Sequence, residues 1–323
     1  MSNSPFLSNC TADTIRDAAA ALKAGHLVAF PTETVYGLGA DARNADAVMR
    51  IYQVKGRPAD HPLIVHISSI NQVAKWAAEV PDYAIALARA FWPGPMTLIL
   101  KRTGLAGDFI TGGQDTVGLR VPSDLLALAL ITEFERISDS AIAAPSANRF
   151  GQVSPTSSAD VLEELSEFLS DSDLVLNGGS SAIGIESTII DCTGSSPIIL
   201  RSGFITKEDI EKELGILNIQ ESISKQIRFS GSFKKHYAPE CKILIGHKEI
   251  NGAGFLALST VKTPKGMSRL ASPESVEEFA RILYSTFRKA DRIRIEMLVV
   301  LPPSGNGLAM AITDRLKKAS KGR

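Results

Sequence analysis

Residues 25–67 read GHLVAFPTETVYGLGADARNADAVMRIYQVKGRPADHPLIVHI, and this stretch decides the fold class. A short apolar run at 27–30 lies between Gly25 and Pro31, which is the length and punctuation of a buried strand. Thr32, Glu33 and Thr34 follow at once, so polar groups gather at a strand end, where open α/β sheets commonly hold ligands. Gly37 and Gly39 let the backbone approach a neighbour closely or take positive φ. Asn44 is placed to cap a helix whose apolar positions Val48, Ile51 and Val54 recur at helical spacing, with Gly56 as its C-cap. A second strand is expected over 63–67, carrying His66 among aliphatic neighbours.

Two readings of the charged residues compete. Lys55 and Arg57 are favourable at a helix C-terminus, but an ammonium and a guanidinium fork two positions apart also suit a polyphosphate. For His66 the plain alternative is a hydrogen-bonded core histidine.

The 323 residues are enough for about two domains. A hydrophobic content of 44% with 22% charged residues is that of an ordinary globular chain. Lys+Arg and Asp+Glu both total 35, which argues against coating nucleic acid or an acidic membrane by bulk charge and leaves room for a local basic cleft. Cys10, Cys192 and Cys241 lack metal-ligand spacing and fit a reducing cytoplasm. No leader pattern or bilayer-length apolar run is present, so a soluble, unprocessed cytoplasmic protein is expected.

Outward from the opening stretch, residues 1–10 read as poorly ordered, and a helix is expected to start at Thr11 or Asp13. Asn71 is expected to cap a short helix, Pro81 to open another, and Trp92-Pro93-Gly94-Pro95 to form a rigid turn. Strands are expected over 96–101, 116–120, 141–144, 174–176, 188–191 and 198–201, with helices over 125–131 and 159–169. Strands and helices alternate but several strands follow one another closely, so the sheet is expected to be mixed. Five strand ends carry polar groups: Thr32 to Thr34, His66, Arg120, Ser146 with Asn148, and Ser187. Their placement points to one shared cleft. A polar linker follows a helix at 206–214, and a small α/β unit closes the chain. There, Gly305-Asn306-Gly307 reads as a structural turn more readily than as an anion site.

No Walker loop, dinucleotide fingerprint, zinc pattern or nucleophile elbow is present. Cations and hydroxyls in a cleft suit stabilisation of charge on phosphate without a covalent enzyme intermediate.

PTETVYGLG from Pro31, KGRP from Lys55 followed by HPLIVHI, APSAN from Ala144, ESTIID from Glu186 and LRSG from Leu200 together resemble the YrdC-like family of threonylcarbamoyl-AMP synthases. His236 to Pro239 matches the His-Tyr-Ala-Pro linker of its two-domain form, and GNGLAMAITDRLKKAS resembles the end of its second domain. The resemblance implies an α/β fold with a YrdC-like catalytic domain at 11–205, a linker or lid at 206–240, and a smaller Rossmann-like α/β domain at 241–323. It implies a nucleotidyltransferase that makes L-threonylcarbamoyl-adenylate and pyrophosphate from L-threonine, bicarbonate or carbon dioxide, and ATP with Mg²⁺. The product would pass to a tRNA-modifying threonylcarbamoyl transferase, with no membrane and no strong direct nucleic-acid binding involved.

By position, the resemblance assigns Lys55, Arg57, Ser146 and Asn148 to the nucleotide and its phosphates, with Lys55 and Arg57 neutralising charge in catalysis. His61, Thr116, Ser154, Arg201 and Tyr237 fall at further nucleotide positions. Thr34, His66, Arg120 and Ser187 fall at threonine positions, Arg120 being suited to the carboxylate. One departure is Phe229-Ser230-Gly231, where the family's linker often reads Ser-Pro-Gly. The alternatives are a carbamoyl-adenylate-dependent carbamoyl transferase and a non-catalytic RNA-binding module, the latter expected to show steep salt dependence.

Overall fold

The computed structural model describes residues 7–9, 11–221, 227–229, 231 and 236–322, with side chains from 11 onward. Part of the expected linker at 206–240, and most of the expected disordered start at 1–10, therefore lie outside the described residues. Within that start, Leu7–Asn9 is a strand paired in parallel with Leu174–Asn177, contrary to the expectation of disorder.

The opening stretch folds as its spacing predicts, with one exception. Val28–Phe30 is a fully buried strand. The helix Ala45–Lys55 begins where the Asn44 side chain accepts from the Ala47 N–H and ends at Gly56, whose φ of 60° is the left-handed conformation a C-cap glycine adopts without a Cβ penalty. The exception is Gly37–Asp41, a strand that the spacing did not predict. It pairs antiparallel with Val28–Phe30, and a Cβ on Gly39 would lie 2.7 Å from Ile142 Cγ2 and 2.9 Å from the Phe30 ring. The glycine serves close packing inside a sheet, which spacing alone did not separate from turn formation.

Around this hairpin the described residues form a 12-stranded mixed sheet. Its order is Leu7–Asn9, Leu174–Asn177, Val28–Phe30, Gly37–Asp41, Ile142–Ala144, Ile64–His66, Thr116–Arg120, Met96–Arg102, Thr188–Asp191, Ile198–Arg201 and Gln220–Glu221, with Ala77–Glu79 added along Met96–Arg102. One face packs on the large core that includes Trp76, Leu87 and Ile51. Another part is covered by the helices Ala12–Lys23 and Leu125–Ser138, which bury Phe134 and Leu22 against Phe30 and Ile142. Leu125–Ser138 runs further than the expected 125–131, and the expected Asn71-capped helix is instead a 3₁₀ turn at Ile70–Gln72 leading into Val73–Trp76. Pro81 stands at the N-cap of Asp82–Phe91 rather than inside it.

The closing unit is a four-stranded parallel sheet in the order Lys242–Ile245, Met297–Val300, Gly254–Leu256, Ser268–Ala271. The helices Val276–Arg292 and Leu308–Ala319 supply its core through Phe279, Leu283, Phe287, Ile312 and Leu316. Val35, Val153 and Ile185 from the first part of the chain belong to the same apolar cluster, so the two sheets share buried surface. At its margin Arg288 and Arg292 reach across to Asp160, Glu163 and Glu164.

Candidate active site

Antiparallel insertion of Ile142–Ala144 next to Ile64–His66 sets the geometry of the cleft. Ile64 stands opposite Ala144 and His66 opposite Ile142, so His66 lies at one end of this strand pair and Pro145-Ser146 at the other. The expected gathering of polar groups along strand ends is thus a gathering across one face of the sheet. With period-two alternation, Ile64, His66 and Ala144 share that face, joined by Arg120 opposite His66 in the parallel neighbour.

The turn after Pro31 is held by the Thr32 hydroxyl, which donates to Val35 O at 2.6 Å and accepts from the N–H groups of Thr34 and Val35. The 145–148 segment is stitched to it, with Leu38 N donating to Pro145 O and Ala147 N donating to Tyr36 O. Seven of the thirteen expected residues line the resulting cleft: Thr34, His66, Arg120, Ser146, Ser187, Arg201 and Tyr237.

Arg120 is buried and its Nη2 lies 2.8 Å from Glu33 Oε1. The pair is close but not aligned, since Arg120 Nε and Nη2 make no hydrogen bond among the described residues. A guanidinium that lines the cleft suits a ligand carboxylate. Ser187 Oγ receives a hydrogen bond from Arg201 Nη2 at 3.1 Å and shares another with Thr97 Oγ1 at 2.8 Å.

Five expected residues stand directly behind the lining. The Lys55 ammonium is buried and donates to the carbonyls of Ser146, at 2.6 Å, and Asn148, so it shapes the 145–148 segment. Burial, then the nearby Arg57 charge, lowers its pKa well below the ordinary lysine value. Arg57 is buried too, and donates through Nη2 to Pro62 O; burial brings its pKa down to about 10. Asn148 donates to Arg149 O and Gln152 O, while its Oδ1 has no partner among the described residues. His61 packs against Phe150, and Ser154 donates to Glu186 Oε1 at 2.7 Å. Thr116 lies apart, in a small slot with Gln114 and Phe229.

Lys55, Arg57, Arg120 and Arg201 place a surplus of buried positive charge around one cleft. Glu186 is the carboxylate in the lining and accepts from Arg315 Nε at 2.9 Å, while Glu33 is held at Arg120. Spacing placed Glu33 among the polar groups of a strand end without a role, and did not single out Glu186 or His236, although both sit inside a quoted motif. Glu33 meets Arg120 87 residues further on, and Glu186 meets Arg315 129 residues further on. Such an arrangement can hold a carboxylate and a polyphosphate together and stabilise charge passing between them.

The comparisons with known proteins agree with this chemistry. Residues 20–203 match the Sua5/YciO/YrdC family model, described as telomere recombination, and residues 205–321 match the Sua5 C-terminal model, described as the threonylcarbamoyl-AMP synthase C-terminal domain. A threonylcarbamoyl-AMP synthase of Pyrococcus abyssi is 39% identical over 95% of this chain and 94% of its own. The chain belongs to the threonylcarbamoyl-AMP synthase family. A Bacillus subtilis member is 38% identical over 96% of this chain and 93% of its own. A crystal structure of P. abyssi Sua5 complexed with L-threonine superposes with a TM-score of 0.86 at 36% identity, covering 98% of this chain and 97% of that one. Membership accounts for both sheets at once, because the match runs through the second domain as well as the first.

The histidines give the cleft a pH signature. Burial first, and then the Arg120 charge, brings the His66 pKa down to about 3. His236 is likewise brought to about 3 by burial, with Glu186 opposing and Arg57 and Lys55 reinforcing. An unfolded histidine titrates near 6.5, so between that pH and about 3 the unfolded chain binds protons that the folded chain does not. Stability is therefore expected to fall as pH drops from 6.5 to 5, on the order of 1.4 kcal/mol per unit for each histidine. Thermal melts across this range should show the loss, and His66→Gln should make the slope shallower. A melting temperature that is flat from pH 7 to 5 would contradict the buried neutral rings.

Proposed function

We propose that this enzyme joins L-threonine, carbon dioxide derived from bicarbonate, and ATP into L-threonylcarbamoyl-adenylate with release of pyrophosphate, the donor for threonylcarbamoyl modification of adenosine in tRNA. The observation that carries the reading is the Arg120 guanidinium lining a cation-rich cleft, in a chain whose full-length relatives are threonylcarbamoyl-AMP synthases.

The α-amine of threonine adds to carbon dioxide and loses a proton, giving a carbamate. A carbamate oxygen attacks the α-phosphorus of ATP, the bond to the β-phosphate oxygen breaks, and pyrophosphate leaves. Arg120 holds the threonine carboxylate, with Thr34, neutral His66 and Ser187 around the rest of the amino acid. Arg57 and Arg201 face the phosphates, and Lys55 fixes the 145–148 segment from which Ser146 and Asn148 contact the nucleotide. His61 and Ser154 support this wall, and Tyr237 covers it. Thr116 is assigned to the nucleotide only by resemblance. No side chain serves as nucleophile; positioning and charge stabilisation do the work.

Mg²⁺ is read as part of the ATP substrate. Among the described residues no group of three His, Cys, Asp or Glu is placed to cage a metal, and Mg²⁺ commonly reaches such sites on nucleotide phosphates. The product goes on to a tRNA-modifying threonylcarbamoyl transferase. No helix of the described residues is long and apolar enough to cross a membrane, and the reading places the enzyme in the cytoplasm.

Amino-acid selectivity tests the reading. Pyrophosphate release should require threonine, and kcat/KM should fall about 5- to 100-fold with serine through the lost methyl, and further with valine because a polar partner of the hydroxyl is left unpaired. Release that ignores the amino acid would overturn the proposal.

A second measurement isolates Arg120. Glu33→Gln removes its buried counter-ion and is expected to lower the stability of the ligand-free protein by roughly 3 kcal/mol. Saturating threonine supplies a replacement carboxylate, so it should raise the melting temperature of the variant more than that of the wild type. Equal threonine-induced shifts would place the threonine carboxylate elsewhere.

A further inference from the structure

The most heavily bonded carboxylate of the cleft is tied to the second domain. Glu186 immediately precedes Ser187 and faces the cleft. Its Oε1 accepts from Ser154 Oγ at 2.7 Å, and its Oε2 accepts from Tyr284 OH at 3.0 Å and Arg315 Nε at 2.9 Å. Tyr284 and Arg315 belong to the helices Val276–Arg292 and Leu308–Ala319. Both then reach Tyr237: the Tyr284 ring stacks on it with centroids 5.6 Å apart and planes 25° apart, and the Arg315 guanidinium lies 5.5 Å from its centroid. Tyr237 is buried and held at a φ of 62°, a left-handed conformation that a side chain tolerates only where its surroundings enforce it.

We propose that Glu186, Tyr284 and Arg315 form one clasp through which the C-terminal domain positions Tyr237 in the cleft, so that the nucleotide side of the site is complete only when both domains are docked. This rests on reading the cleft as the site of adenylate formation. The three are positioning residues, acting on the reaction through Tyr237.

Three observations separate the clasp from plain adhesion between domains. First, adhesion has its own contacts at the margin, where Arg288 and Arg292 meet Asp160, Glu163 and Glu164. Second, Arg315 is fully buried and its three nitrogens are directed: Nε to Glu186, Nη1 to Asp314 and Nη2 to Ser202 O. A buried guanidinium with every nitrogen satisfied is held in one orientation, and that orientation sets its plane against Tyr237. Third, burial would raise the Glu186 carboxyl, but the Arg315 and Arg201 charges and the Ser154 and Arg315 hydrogen bonds outweigh it and bring its pKa down to about 2, so it stays a fixed anion. Tyr237 is thus positioned by residues 47 and 78 positions downstream, and a chain cut at Pro239 would keep the tyrosine but lose what holds it.

The test uses the full-length enzyme with Tyr284→Phe, which keeps the stacked ring and deletes the hydroxyl on Glu186, and Arg315→Lys, which keeps charge and loses the fork. Arg292→Ala, on the half-exposed margin, is the control. We expect kcat/KM for ATP to fall about tenfold or more in both clasp variants, threonine affinity measured by calorimetry without ATP to stay within about twofold, and amide exchange of residues 236–238 to quicken. The control should change none of these. Unchanged or improved use of ATP, or a parallel loss of threonine affinity, would overturn the clasp. Should Arg315→Lys fail to fold, Tyr284→Phe decides alone. A wild-type enzyme without threonine-dependent pyrophosphate release would sink the functional reading instead, while the exchange measurement would still report on the clasp.

Discussion

Arg120→Ala is expected to weaken threonine binding by about 100-fold or more, with a correspondingly large loss of kcat/KM for threonine. The guanidinium lines the cleft and is buried beside Glu33, with Nη2 2.8 Å from Glu33 Oε1. Truncating one member of a desolvated charge pair typically forfeits about 2–5 kcal/mol, which corresponds to factors of tens to thousands. Here the removal also leaves Glu33 as a buried anion aimed at the incoming carboxylate, so attraction becomes repulsion. The KM for ATP should change far less, because Arg57 and Arg201, which the proposal assigns to the phosphates, remain. Threonine binding that survives within a few-fold would remove Arg120 from the amino-acid subsite.

The second large effect combines opposite signs. From sequence, Arg57 reads as a phosphate ligand in an open cleft, but the structure buries it. It has one directed hydrogen bond, to Pro62 O, and among the described residues no carboxylate forms an ion pair with it. A buried charge of this kind is costly in the ligand-free protein. Arg57→Met should therefore leave the melting temperature unchanged or raise it, while kcat/KM for ATP falls about 100- to 1,000-fold through lost stabilisation of charge on the phosphates. Activity within a few-fold of wild type would end the phosphate role. A large loss of stability would make Arg57 a structural residue.

What could be read from the chain and what could not follows from the range of the interactions concerned. The helix Ala45–Lys55 is set by contacts within one turn, namely Asn44 at its start and Gly56 at its end, so its limits were legible. The strand Gly37–Asp41 was not, because its two glycines are explained by Phe30 and Ile142, the second about a hundred residues away. Ala77–Glu79 and Ser268–Ala271 were missed as short segments without a period-two apolar pattern. The cleft followed the same rule. Its hydroxyls and cations stand in local motifs and could be named, whereas the antiparallel insertion that spreads them across a face of the sheet depends on strand order. The attachment of Glu186 to Tyr284 and Arg315 spans 98 and 129 residues, and no local spacing encodes it.

The central claim is that one cleft joins three substrates into a single mixed anhydride, and the most direct measurement is the mass of the product. The purified enzyme would be incubated with ATP, Mg²⁺, L-threonine and ¹³C-bicarbonate, and the nucleotide products resolved before the adenylate hydrolyses. The account predicts an adenylate that carries both threonine and one labelled carbon, formed in step with pyrophosphate and absent when either threonine or bicarbonate is left out. An unlabelled threonyl-adenylate, a carbamoyl-adenylate without threonine, or ADP with phosphate as the products would contradict it.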